Sequence, residues 1–250
     1  MLMVFEQGAM DMRKVLGITL VTMFALSLIV PVATADSLMP GDFIERNYED
    51  APRFSYYGEF YVAKYPPGVI LDPANYFSTF CLDLTDETAP IMLVSDINTI
   101  VQSSGVDIPL VPGVAFLYTE FVNGTLPGYD FADTGIGRGL TAAALQWTLW
   151  IVQGETSIES LQNNALAVYD TGLVQSWIEL AAEAGWTDYG NVRVLNDLRQ
   201  ADFGQVEGQP FDVPAQDFLT MVPEPTSLLL LGSGLALLAG LARVRRGKRS

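Results

Sequence analysis

The chain has 250 residues, with 13 Lys and Arg against 29 Asp and Glu, a formal net charge of −16 at neutral pH, and no histidine. Without histidine there is no Ser-His-Asp triad, no Cys-His pair and no imidazole metal site. Nor does so acidic a chain suit nucleic acid as a partner, because phosphate binding needs a basic footprint.

In chain order, Arg13 and Lys14 come first, ahead of an apolar run from Val15 to Val32. Ala33-Thr34-Ala35 then offers signal peptidase a small-x-small cleavage site before Asp36. Residues 1–35 are therefore expected to be a signal peptide with a helical apolar core. Glu6 and Asp11 put acid where such a segment wants base, so Met10 or Met12 is the better start.

Residues 36–225 form the exported body, which holds 27 Asp and Glu against 6 Lys and Arg. Its strands come first. Phe54 to Ala63 is rich in Tyr, Phe and Val, Phe77 to Leu84 alternates around Cys81, and Ile91 to Val94 is a shorter run. Val114, Leu117, Tyr118 and Phe121 fall at helical spacing after Pro112-Gly113, with a stop near Gly124. Thr141 is placed to cap a helix over 142–152 that ends at Gly154, and Thr156 to cap another through Tyr169, ending near Gly172. A helix over 174–184 and a strand over 191–195 complete the list. The expected fold is α+β: a mainly β body, sandwich- or barrel-like, with an inserted helical part, over residues 36–199. Residues 200–222 read as a linker.

The tail carries its own signal. After Pro223-Glu224-Pro225, Thr226 to Ala242 is uncharged and contains eight leucines. As a helix it reaches about 25 Å, close to the thickness of a hydrocarbon core. Arg243, Arg245, Arg246, Lys248 and Arg249 follow, and such a basic stub stays cytoplasmic, leaving the body outside. The order of tripeptide, short apolar helix over 226–242 and basic stub resembles the PEP-CTERM sorting signal of bacterial surface and matrix proteins. That resemblance assigns residues 223–250 to sorting and implies an exosortase-type transpeptidase that cuts near Pro223-Glu224-Pro225. The chain is then first anchored in the inner membrane and later delivered to the cell surface or extracellular matrix.

Catalytic signals are scarce. The two Asp-Thr-Gly triplets, at 133–135 and 170–172, stand too close together for each to centre a protease lobe, and the second reads as a helix end. No loop has the ligand spacing of an EF-hand, and no cofactor or metal is expected. Cys81 is the only cysteine, so it is buried as a small apolar residue, pairs with another chain, or is consumed in an internal bond other than a disulfide.

Flanked by Phe80 and Leu82, which suit a core strand, Cys81 reads by composition as buried. It is a resemblance carried by the wider sequence context that favours the last of the three. Phe80-Cys81-Leu82-Asp83 is followed, 65 residues on, by Leu145-Gln146-Trp147-Thr148-Leu149-Trp150. With Phe116-Leu117-Tyr118 between them, and with Val194-Leu195-Asn196 and Gln216-Asp217 later, the set resembles the Cys-Gln thioester domains of bacterial surface proteins. The likeness spans roughly residues 54–218, though Trp147 is bulky where a smaller apolar residue is usual and Leu149 stands in place of the usual Ile or Val. It implies that the Cys81 thiol attacks the Gln146 carboxamide, expels ammonia and leaves a thioester, with Trp150 and Phe80 as shields. It also implies an adhesin-like protein that captures an amine-bearing protein or polysaccharide covalently, as a binder rather than an enzyme. The rival reading is a passive matrix protein with a buried free thiol. A carboxylate-pair glycoside hydrolase is a third class, recommended by no motif.

Overall fold

The strands follow from short runs of aromatic and β-branched residues, each able to bury one face. A computed structural model describes residues 38–47, 58–65, 76–103, 105–132, 135–162, 170–200 and 210–222. Their nine strands are β1 (Phe43–Asn47), β2 (Phe60–Lys64), β3 (Phe77–Thr79), β4 (Ile91–Asn98), β5 (Ile100–Ser103), β6 (Val106–Pro109), β7 (Val192–Gln200), β8 (Phe211–Pro214) and β9 (Phe218–Met221). Between β6 and β7 come four helices, α1 (Pro112–Val122), α2 (Ile136–Gln153), α3 (Ile158–Gln162) and α4 (Thr171–Glu183).

Seven strands form one antiparallel sheet in the order β3-β2-β1-β4-β7-β8, with β9 also pairing β7, and β5 and β6 make a separate hairpin. The sheet curls into a half-barrel. A single bridge, Cys81 opposite Phe218, stitches its two ends together. Alternation along the strands sets the layers. Cys81, Phe218 and Leu195 lie opposite one another across three segments and share a face. Registers carry that face on to Ile44, Val62, Met92 and Val94, all fully buried. Phe80 points the other way, toward the helices, where its ring meets Phe121 of α1 at 4.9 Å, edge to face.

The α+β body with helices inserted between strands is as expected, and several boundaries are not. Helix α2 begins at Ile136, six residues before the expected start. Thr141 is no cap there, since its hydroxyl donates back to the Arg138 carbonyl at 3.1 Å inside the helix. Asp170 opens α4 instead of lying at a helix end. Its carboxylate accepts from the Gly172 and Leu173 N–H groups, and a Cβ on Gly172 would lie 3.0 Å from that carboxylate. The stretch 200–222, expected as a linker, contains β8 and β9. Each is four residues long, too short for a periodic signal, and β7 supplies the pairing that makes them strands.

Among the described residues no helix is long and apolar enough to cross a membrane. The expected signal helix, with its cleavage site at Ala33 and Ala35, and the expected membrane helix over 226–242 lie outside the described residues. So do Pro223, Glu224, Pro225, Arg243, Arg245 and Arg246.

Candidate functional site

Cys81 sits where β3 has run past the start of β2. Thr79 pairs with Phe60, so the next partner along that edge is Gly58, and there α2 crosses. A Cβ on Gly58 would lie 3.0 Å from the backbone of Ala142 and Ala143, which explains why the smallest residue stands at this crossing. One turn further along α2, Gln146 takes the vacant strand position. The Cys81 N–H donates to Gln146 Oε1 at 3.0 Å, and Gln146 Nε2 donates to the Cys81 carbonyl at 2.6 Å. The side-chain amide thus replaces a peptide group on one edge of Cys81, while Phe218 of β9 occupies the other. Both residues are sealed, Cys81 at 1 % exposure and Gln146 at 0 %.

A buried ion pair fixes the angle of α2. Arg138 donates to both oxygens of Glu59, through Nε at 2.8 Å and Nη2 at 2.7 Å, and the Tyr129 hydroxyl adds a bond of 2.8 Å. Glu59 follows Gly58 directly, so the lock acts beside the crossing. Further along α2, Gln153 makes the same double stitch as Gln146: it accepts from the Val111 N–H and donates to the Pro109 carbonyl, each at 3.0 Å. No cysteine stands at that second stitch.

Burial pushes the Cys81 thiol well up from its ordinary value. Asp83, Asp197 and Asp217 push it further, while Arg46 opposes them. The thiol is therefore held protonated. Asp83 is itself pushed up to about 6 and Asp217 to about 8, in both cases chiefly by burial. These acids tie the quoted motifs together. Asp217 accepts from the Gln102 N–H at 2.6 Å and from Asn196 Nδ2 at 2.8 Å. Asp83 accepts from the Asp217 N–H at 3.0 Å, and Gln216 Nε2 donates to the Asp83 carbonyl at 2.5 Å. The stretches at 80–83, 194–196 and 216–217 are therefore joined by hydrogen bonds, and 145–150 joins them through Gln146 on Cys81.

The proposed shields are placed differently. Trp150 is 7 % exposed and sets its ring edge-on to Trp147 at 5.5 Å, with no hydrogen-bond partner for its indole N–H among the described residues. Phe80 alternates to the face opposite Cys81 and packs on the helical side. Sequence reasoning missed the Glu59–Arg138–Tyr129 lock and the part played by Asp83 and Asp217, although the Gln216-Asp217 pair was among the quoted signals. Among the described residues no group of three or more Asp, Glu or Cys is arranged to hold a metal ion.

A family model described as the PEP-CTERM protein-sorting motif matches residues 222–246. The chain thus carries the signal of an exported protein recognised by exosortase and anchored through its C-terminal segment before sorting. No curated protein and no solved structure matches the chain.

Proposed function

We propose that the exported body stores an internal thioester between Cys81 and Gln146 and uses it to capture amines. The observation that carries this reading is the double hydrogen bond that holds the Gln146 amide against the backbone of the chain's only cysteine. The chemistry balances without a co-reactant. Sγ attacks Cδ of Gln146, the thiol proton passes to the amide nitrogen, ammonia departs, and an S–C bond replaces the C–N bond. The Cys81 N–H, already directed at Oε1, meets the negative charge that grows on that oxygen. A carboxamide is a poor electrophile, so fixed proximity supplies much of the rate. The dry surroundings protect the product from hydrolysis.

Attack by a partner amine then transfers the acyl group to nitrogen and returns the thiol. Amines are cationic in water, and the acidic body attracts them. The reaction is a single event without turnover, suited to a surface or matrix protein delivered by its sorting signal.

Alkylation under denaturing conditions tests this. A thioester blocks Cys81 from iodoacetamide even in urea, and methylamine restores the reactive thiol. A thiol that alkylates on unfolding without any amine overturns the proposal and leaves a passive matrix protein.

A further inference from the structure

Strand β9 covers the edge of Cys81 that Gln146 leaves open, and it is the last strand before the sorting motif. Phe218 stands opposite Cys81. The Leu82 N–H donates to the Asp217 carbonyl at 2.9 Å, and the Leu219 N–H donates to the Phe80 carbonyl at 3.1 Å. The hydroxyls of Thr79 and Tyr118 both donate to the Leu219 carbonyl, at 2.5 and 3.3 Å. Along its other edge β9 pairs with β7. The Phe218 ring meets Phe60 at 5.7 Å, edge to face. The Val222 N–H then donates to the Asn191 carbonyl at 2.9 Å, one residue before Pro223. The matched motif begins at that same Val222.

Both members of the Cys81–Gln146 pair are sealed from solvent, so any nucleophile must wait for an opening. Four residues hold the cover, whereas the β2–β3, β1–β2, β1–β4, β4–β7 and β7–β8 ladders of the sheet do not include it. A four-residue strand is a smaller cooperative unit than the eight- and nine-residue strands β4 and β7, and small units open at lower free energy. We propose that β9 is a releasable strap, whose local detachment, with the remaining sheet intact, exposes Cys81 and Gln146. The strap is continuous with the segment that anchors the protein before sorting, so tension on that segment passes through Met221 to Phe218. The state of the anchor is thereby coupled to access at Cys81. This concerns access alone and stands whether or not the thioester forms.

The test is the rate at which Cys81 reacts in the native full chain. Methylamine is the probe where the chain has lost ammonia, and iodoacetamide where the thiol is free. Phe218→Ala loosens the strap, whereas Met92→Ala, on β4, loosens the core without touching the hydrogen bonds of β9. The strap predicts at least about tenfold faster modification in F218A, given the usual cost of removing a buried ring, and less than about twofold change in M92A. Equal acceleration in both variants, or none in F218A, overturns it. Should F218A fail to fold, hydrogen exchange on the unmodified sequence decides. The Leu82 and Leu219 amides must open with the same constant as Cys81 modification, and more often than the Arg46 and Val94 amides, which donate to Pro90 and Asp42. One common constant for all four amides overturns the strap.

Discussion

Stability of the body should fall as pH rises from 5 to 8, and Asp217 should carry much of that fall. The unfolded chain releases this proton near the ordinary value of 3.8, whereas burial holds it on the folded chain up to about 8. Between those values the folded state binds the extra proton, so raising the pH favours unfolding. The slope is about 1.4 kcal/mol per pH unit for one group, or about 4 kcal/mol across the three units from pH 5 to 8. Asp83, pushed up to about 6, adds to the fall only in the lower part of the range. Self-repulsion of the acidic chain acts in the same direction, so the informative quantity is the difference between the natural sequence and Asp217→Asn. Asparagine keeps an oxygen for the Gln102 N–H and Asn196 Nδ2 and removes the ionisation. Urea denaturation at pH 5, 6.5 and 8 should show D217N losing several kcal/mol less than the parent. Parallel curves for the two proteins, or a parent that gains stability toward pH 8, would refute the reasoning.

Other expectations follow from single contacts. Arg138→Met strands the buried Glu59 carboxylate and should cost about 3–5 kcal/mol in chemical denaturation, and Glu59→Gln in the same background should recover part of it. Gly58→Ala pushes α2 away from Cys81 through a 3.0 Å clash with backbone and should cost about 1–3 kcal/mol. If the Cys81–Gln146 bond forms, G58A should also slow the appearance of the ammonia-depleted chain, as followed by mass after export. Phe121→Ala removes the ring that packs on Phe80, Tyr129 and Phe131 and should lower stability by about 3–5 kcal/mol in a urea titration.

Sequence made the helices visible because their apolar residues recur over several turns. Val114, Leu117, Tyr118 and Phe121 are all buried on α1, as their spacing predicts. Strands β1, β8 and β9 stayed hidden for a physical reason. Five or fewer residues, one of them reading Phe-Ile-Glu-Arg-Asn, become a strand only through partners far along the chain. The start of α2 was misplaced because Gly137 and Gly139 are weak helix formers, while the helix there is held from outside by Arg138 on Glu59. The meeting of Cys81 with Gln146 was legible as two motifs in order. Its geometry was not, since it depends on the bare backbone of Gly58 and on a sheet that curls until Phe218 reaches Cys81. Asp83 and Asp217 stood within the quoted motifs, but nothing in the sequence told them from the other carboxylates as buried, raised acids.

Gln153 supplies an internal control for the central claim, because it makes the same paired hydrogen bonds to backbone with no thiol beside it. The most direct measurement is the intact mass of the exported chain, followed by peptide mapping without reduction. The account predicts a chain lighter by one ammonia, with a single linkage joining the peptides of Cys81 and Gln146, and no such loss in Cys81→Ala. A chain of full mass, or an ammonia loss that maps to Gln153 or persists without the cysteine, would contradict it.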